Sequence, residues 1–349
     1  MPARRSTPPA APALRTVKES AGLASPPPAG LRWPLPDGRR LGAHLALGHG
    51  MVRAAERARA IGADSLQLFA DNPTAWHRRA ELPDELPAFR AKVAELELGP
   101  LAIHAAYLVN LAGPDTDLFE RSLGVLAREM EVAPAYGARF VNVHVGSHRG
   151  AGVDAGIARV AAGIARVLAG APTGPDGAAL VLENSAGSGD GLGTTVDELA
   201  RILDAIAARG VPVDRVGLCL DTAHLWGAGI AIGTVEDVDT LVEAIAARIG
   251  LERLSMVHLN DSKAGFASRA DRHQHLAAGQ IGRDGLARIL THPALAHVAY
   301  YLETPGMDEG YDAVNIARAR DLARGLPLAT LPPEALDMGG SRGRAAGPA

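Results

Sequence analysis

Eight short apolar runs recur along the chain, each with little polar interruption. They lie at residues 41–46, 65–69, 100–104, 140–144, 179–183, 216–221, 254–259 and 298–303. Such near-continuous runs are typical of strands that are buried on both faces, as in a parallel sheet. Stretches with helical periodicity separate most of the runs, most clearly at residues 156–168, 196–208 and 235–249. The pattern therefore predicts an alternation of buried strands and amphipathic helices.

This alternation predicts an α/β fold, a (β/α)8 TIM barrel, because eight strand–helix units fit the roughly 250 residues that such barrels usually need. A doubly wound sheet is the alternative, but no GxGxxG motif opens a helix after the first strand, which disfavours its dinucleotide-binding form. Thr195 and Thr234 are predicted helix starts, and Gly210 and Gly250 are predicted stops.

The barrel is expected to span residues 39–328. Residues 1–38 are rich in Pro and Ala, residues 329–349 contain few large apolar side chains, and both are expected to be disordered tails. The chain has no apolar run of the length that a membrane span needs, and its first residues lack the apolar core of a secretory signal. We therefore expect a cytoplasmic protein with no membrane attachment.

The cysteine count and the net charge restrict which metal ligands and which partners the chain can have. The single cysteine, Cys219, excludes a disulfide framework and a thiolate zinc finger, so any metal must be held by His, Asp and Glu. The formal net charge of -4 gives no global basic signature. A nucleic-acid partner would therefore have to be attracted by local positive charge.

Metal-competent side chains stand at or beside the ends of predicted strands three to eight. They are His104, His144, Glu183, Asp221, His258 and Glu303. Because the carboxyl ends of barrel strands meet at one mouth, where TIM barrels carry their active sites, these six side chains should converge there. His224, Asp271 and His273 follow in the adjoining loops, which makes nine candidate ligands.

Carboxylates packed this closely would repel one another and become protonated unless cations separated them. Mixed histidine and carboxylate ligation favours Zn²⁺, with Mn²⁺ as a possible substitute, over Ca²⁺. Two or three such ions would attract an anion and suit hydrolysis of a phosphodiester. A metal-dependent sugar isomerase or epimerase on the same barrel is the alternative, but it has no use for a third metal site.

The motifs LENSAGSG, DTAH, HLNDSK, SRADRH and LETPG occur in this order along the chain. In this arrangement the sequence resembles endonuclease IV, a family of zinc-dependent apurinic/apyrimidinic (AP) endonucleases of base excision repair, over residues 41–325. The resemblance implies three zinc ions, with Glu183 bridging two of them as the catalytic carboxylate. The implied sets are His104, His144 and Glu183 for the first ion, Glu183, Asp221, His258 and Glu303 for the second, and His224, Asp271 and His273 for the third.

The resemblance also implies the reaction. An activated hydroxide would attack the phosphorus 5′ to an abasic site in duplex DNA and leave a 3′-hydroxyl and a 5′-deoxyribose phosphate. Trimming of blocked 3′ ends is implied as well. An enzyme with this substrate is expected to act as a monomer and, if the source is bacterial, to be associated with the nucleoid.

Contacts with DNA are expected from the loops around the mouth. The resemblance assigns them to Asn72, Tyr107 and Leu108, and local charge adds Lys263, Arg269 and Arg272. His44 is expected to support a ligand without binding metal itself. The sequence departs from the family at Thr74, where many members carry an arginine that is inserted into the base stack. His77, Arg78 and Arg79 are nearby candidates for that task.

Overall fold

The computed structural model describes residues 35–174, 177–307 and 309–336. Its strands are β1 Arg40–His44, β2 Ser65–Leu68, β3 Leu101–His104, β4 Ala138–His144, β5 Ala179–Glu183, β6 Val216–Asp221, β7 Leu254–His258, β8 Asp261–Ser262, β9 His273–Gln274 and β10 Ala299–Leu302. Eight of them form a closed parallel barrel in which β10 lies between β7 and β1. The predicted (β/α)8 fold is confirmed, and each predicted apolar run overlaps one barrel strand, although β1 and β4 begin one and two residues before their runs.

Helices surround the barrel. They are α1 Met51–Ala60, α2 Leu86–Glu95, α3 Thr116–Tyr136, α4 Val153–Gly170, α5 Val196–Ala207, α6 Thr222–Ala228, α7 Val235–Arg248, α8 Arg283–Thr291, α9 Asp312–Arg324 and α10 Pro333–Leu336. Both predicted helix starts are confirmed: Thr195 accepts a hydrogen bond from the Glu198 amide, and Thr234 forms a reciprocal capping box with Asp237.

One feature goes beyond the predicted alternation. Strands β8 and β9 pair antiparallel in the long connection between β7 and β10, with Ser262 opposite His273. This small ribbon gives His273 a fixed backbone position close to the barrel mouth.

Apolar side chains fill the barrel below its mouth. A cluster separate from the main core consists of Ala102, Val181, Cys219, Met256, Ala299 and Tyr301. Burial raises the pKa of the Cys219 thiol to about 12, so this cysteine is an inert core residue. The polar side chains at the mouth therefore rest on a packed floor.

The C-terminal segment is ordered further than the sequence indicates. The second tail is predicted to begin at residue 329, yet the Ala329 amide donates to Asp321 and the buried Ala335 accepts a hydrogen bond from His275. Residues 35–38, at the end of the first predicted tail, are also described, and Leu35 is buried. The remaining parts of the two tails, residues 1–34 and 337–349, lie outside the described residues. Within the described part of the chain, no helix is long and apolar enough to cross a membrane.

Two helical glycines provide a matched test of this packing. A Cβ atom on Gly285 in α8 would lie 1.6 Å from the carbonyl oxygen of Ile232, whereas a Cβ atom on Gly124 in α3 would meet no atom within 4 Å. We expect Gly285→Ala to lower the free energy of unfolding by about 1–3 kcal/mol. Gly124→Ala should raise it by about 0.5–1 kcal/mol, because alanine loses less backbone entropy in a helix. Urea denaturation measures both, and equal effects would contradict the packing of α8.

Candidate metal centre

The carboxyl ends of six barrel strands bring the predicted ligands together. His104, His144, Glu183, Asp221 and His258 are the last residues of β3 to β7, and Glu303 directly follows β10. Side chains alternate across a strand, and in each case the last residue is the one that points into the barrel. The convergence expected from the strand ends is therefore present in the structure.

Potential ligand atoms form three overlapping groups, each with its atoms within 4.8 Å of one another. The groups are His104, His144 and Glu183; Glu183, Asp221, His258 and Glu303; and Asp221, His224 and His273. The first two have the same members as the first two predicted zinc sets. The third contains Asp221 where the sequence assigns Asp271. Asp271 is nevertheless close, with its carboxylate oxygens 3.3 Å from His224 Nε2 and 3.2 Å from His273 Nε2.

The start of α6 explains how the third group is built. Asp221 ends β6 and caps α6, because its Oδ1 accepts a hydrogen bond of 2.9 Å from the His224 amide. Its second oxygen, Oδ2, remains directed at the mouth and lies 3.3 Å from His273 Nε2. One carboxylate thus positions the histidine three residues later and also faces the centre.

Three histidines are held in one orientation by backbone carbonyls. Nδ1 of His104, His224 and His273 lies 2.7–2.9 Å from the carbonyl oxygens of Ala105, Asn184 and Glu303, respectively. A carbonyl oxygen only accepts hydrogen bonds, so Nδ1 must carry the proton in each ring. In a neutral ring Nε2 then presents its lone pair, and in all three cases Nε2 faces a carboxylate oxygen 3.2–3.5 Å away.

This arrangement is suited to cations. A lone pair that faces a carboxylate is repelled unless the ring is protonated or a cation lies between the two groups. Nε2 of His273 shows the problem most directly, because it is buried without a hydrogen-bond partner in the described structure. Nitrogen and carboxylate donors together fit transition ions such as Zn²⁺ or Mn²⁺. The clusters could therefore bind metal ions.

Even without metal, the histidines and carboxylates of the mouth shift one another's pKa values. Burial by itself would raise the pKa of Glu183, but the charges of His144 and His258 and the hydrogen bonds from His104 and His258 hold it well below its usual range. For His224, burial lowers the pKa, but Asp221 and Asp271 raise it to about 10. Without metal, the centre therefore holds ionised carboxylates and extra protons on histidines.

Side-chain amides form a layer around the ligands that the sequence analysis missed. Asn142 Nδ2 donates to Glu183 at 2.6 Å, and Asn260 Nδ2 donates to Asp221 at 2.7 Å. Asn184 Oδ1 accepts from the Asp221 amide at 2.6 Å. A signal was available: Asn142 precedes His144 by two positions and so shares its face of β4, while Asn184 and Asn260 lie inside the LENSAGSG and HLNDSK motifs.

His44 lies where the sequence places it, beside a candidate ligand. Its Nδ1 is 3.2 Å from Glu303 Oε1, and burial lowers its pKa. Gln67, which the sequence analysis did not single out, contacts His44, Glu303 and His258.

The loops after β2 and β3 carry three of the predicted DNA contacts and are joined to each other. Tyr107 is 56% exposed at the mouth, its ring packs edge-on against Phe69, and its amide donates to the Pro73 carbonyl. Leu108 beside it is half-buried. Asn72 is exposed, and its Oδ1 accepts hydrogen bonds from both the amide and the hydroxyl of Thr74.

The candidate replacements for the missing arginine differ in position. The Arg78 side chain is only 8% exposed and lies 3.7 Å from Glu129, a residue whose pKa burial raises to about 7 despite the opposing charge of Arg78. Arg78 therefore faces the interior and cannot reach DNA as a wedge. Arg79 pairs with Asp71 at the surface, and His77 is exposed.

The remaining predicted DNA contacts lie in the connection between β8 and β9. Lys263, Arg269 and Arg272 are all exposed. The Lys263 amide donates to the Arg272 carbonyl, and the Arg269 amide donates to the Gly227 carbonyl at the end of α6. The connection is thus tied to the helix that carries His224, which places the three cations on the side of the third ligand group.

Zinc uptake should release protons from this centre. Burial opposes the charged forms of His104, His224 and His273, but nearby carboxylates outweigh it and raise the pKa of all three rings in the protein without metal. A ring nitrogen must lose its proton before it can bind metal. We expect titration calorimetry at pH 7, in buffers of different ionisation enthalpy, to show net proton release, and about one proton fewer for His224→Gln. Zinc binding without proton release would contradict the assignment of these rings as ligands.

Comparison with known proteins places this site in a family. A family model described as a xylose isomerase-like TIM barrel matches residues 55–326. A probable endonuclease 4 of Methanoculleus marisnigri is 41% identical over 283 residues, which cover 81% of this chain and 98% of that protein. A probable endonuclease 4 of Natranaerobius thermophilus is 37% identical over 281 residues, 80% of this chain and 96% of that protein.

Solved structures give the same result. The crystal structure of endonuclease IV from Thermus thermophilus superposes with a TM-score of 0.70 at 37% identity, covering 82% of this chain and 99% of that one. A D-tagatose 3-epimerase-like protein, at 16% identity and a TM-score of 0.59, shares the fold alone. The chain therefore belongs to the endonuclease IV family of AP endonucleases, which are nucleases.

Proposed function

We propose that this protein hydrolyses the phosphodiester 5′ to an abasic site in duplex DNA and leaves a 3′-hydroxyl and a 5′-deoxyribose phosphate. One observation carries the proposal: nine histidine and carboxylate side chains meet at the barrel mouth, with three histidine Nε2 atoms directed at carboxylates. The relatives named endonuclease 4 support the choice of DNA as substrate.

We assign three zinc ions to the site, held by the three predicted sets, with Mn²⁺ as a possible substitute. When bound, such ions activate water for attack on phosphorus and neutralise charge on the entering and leaving oxygens. Glu183 would serve two ions, because its carboxylate lies in both of the first two ligand groups. Asn142 would hold that carboxylate in place through its hydrogen bond to Oε2.

The loops at the mouth would bind the damaged strand. Tyr107 is positioned to pack against a sugar that has left the duplex, since its exposed ring stands over Phe69 and His104 at the entrance. Lys263, Arg269 and Arg272 would contact phosphates, which fixes the register of the DNA without reading its sequence. A 3′ end blocked by a phosphate ester also holds a phosphorus bonded to a 3′ oxygen, which would be the leaving group in both reactions. We therefore propose 3′-end trimming as a second activity.

A sugar isomerase or epimerase is the competing function on this fold. Solved epimerases resemble the chain only at 13–18% identity, which supports the barrel and not the reaction. The cluster of His224, Asp271 and His273 favours the nuclease, because proton transfer on a sugar does not need a further metal site there.

Cleavage of a duplex with one tetrahydrofuran abasic analogue tests the proposal directly. The zinc-loaded protein should cut the strand 5′ to the analogue, and Glu183→Gln should reduce the rate by more than about a hundredfold because two ions lose a shared ligand. Asp214→Asn is the matched control, since Asp214 is an exposed acid just before β6, at the opposite end of the barrel. A wild-type protein that leaves the duplex intact and isomerises a sugar would refute the proposal.

Substitution at Thr74 tests how the lesion is recognised. We expect Thr74→Arg to tighten binding to abasic DNA, because a long cationic side chain would enter the gap that Thr74 cannot fill. Thr74→Lys is the control for charge. Either variant adds one positive charge, so either should steepen the slope of log K against log salt concentration by about one unit. Fluorescence anisotropy at several salt concentrations measures both effects. If neither variant binds more tightly than wild type, another element provides the wedge.

A further inference from the structure

Gln67 occupies an unusual position under the candidate metal centre. It lies on β2, a strand that provides no predicted ligand, and its side chain is fully buried inside the barrel. Burying a primary amide is costly unless its polar atoms are hydrogen-bonded. Here both ends of the amide have partners, and two of those partners are candidate ligands, Glu303 and His258.

The hydrogen bonds define which way the amide points. Its Nε2 lies 2.6 Å from Glu303 Oε1, and an ionised carboxylate only accepts hydrogen bonds, so the NH₂ group must face Glu303. The amide oxygen then faces His258 Nε2 at 3.0 Å. Because that oxygen only accepts, Nε2 of His258 must carry a proton.

The orientation of the amide determines which atoms are left for metal. With its proton on Nε2, a neutral His258 presents the lone pair of Nδ1, which lies 3.2 Å from Glu183 Oε1 and 3.3 Å from Glu303 Oε2. Glu303 Oε1 is already engaged by Gln67, so Oε2 is the oxygen that remains available. We propose that Gln67 is a positioning residue that selects Nδ1 of His258 and Oε2 of Glu303 as the ligand atoms of the second metal ion.

His258 differs in this respect from the other oriented histidines. Backbone carbonyls hold His104, His224 and His273, and no substitution removes a backbone carbonyl. His258 is held by a side chain, so its orientation can be changed by a single substitution. The inference rests on the proposed metal centre, and it adds a residue that neither the ligand motifs nor the strand ends indicate.

Two substitutions separate the contacts made by the two ends of the amide, since Nε2 faces Glu303 and His44 and Oε1 faces His258. Gln67→Met has a similar length and no comparable hydrogen-bonding group, so it removes all three contacts. Gln67→Glu keeps an acceptor for His258 but cannot donate to Glu303. Ser65→Ala is the matched control, because Ser65 lies two residues earlier on β2 and faces the same interior one layer below the centre.

Zinc affinity and histidine coordination are the readouts. In competition with a chelator, Gln67→Met should lower the affinity for one zinc ion by about 10–100-fold, as expected when a ligand loses its supporting contact. The affinities for the other zinc ions should not change. Nitrogen-15 NMR of the zinc-loaded protein should show Nδ1 coordination of His258 in wild type, Ser65→Ala and Gln67→Glu, and its loss in Gln67→Met.

Several results would overturn the inference. Wild-type zinc affinity together with Nδ1 coordination in Gln67→Met would do so. If Gln67→Met loses affinity for all the zinc ions and its zinc-free form unfolds at a lower temperature than the zinc-free wild type, Gln67 stabilises the fold and does not select ligand atoms. A wild-type protein that binds no zinc would remove both this inference and the proposed centre. If zinc binding behaves as expected but abasic DNA is not cut, the proposed function fails and the role of Gln67 stands.

Discussion

Repulsion among buried acceptor groups is the constraint on which the mouth of this barrel depends. Glu183 and Asp221 are completely buried, and the lone pairs of neighbouring rings are directed at their oxygens. The fold maintains this arrangement through hydrogen bonds that leave those lone pairs no alternative direction. Without metal, protons on the histidine rings must relieve this repulsion. With metal, the bound cations relieve it. The geometry is thus suited to bound cations, and the rest of the barrel must offset the free-energy cost of burying these charged groups together.

The strands of the barrel, the two helix starts and the residues that gather at the mouth were predictable from the sequence, because each rests on a local rule. Buried parallel strands require continuous apolar runs, and the last inward residue of each strand must reach the same mouth. The spacing of about one strand–helix unit between His104, His144 and Glu183 can therefore be recognised in the amino-acid sequence itself. Their assembly follows from the closure of the sheet.

The supporting amides were not predictable in the same way. Asn142 and Gln67 look like ordinary polar interruptions of a strand, and their roles depend on which atoms face them from other strands. The burial of Arg78 could not be inferred either, since it depends on Glu129, about 50 positions further along the chain. Likewise, the order at residues 329–336 follows from contacts with His275 and Asp321, which composition does not reveal.

The packed interior of the barrel limits how ions and water can reach the candidate metal centre. Met256 and Tyr301 belong to the buried cluster beneath the ligands, and Glu183 itself is fully buried. We therefore expect ions and water to reach Glu183 through the barrel mouth. A duplex lying across that mouth would close the route. Exchange of metal with solution should then be confined to the intervals between substrates, so an enzyme saturated with DNA would keep its ions longer than an idle one.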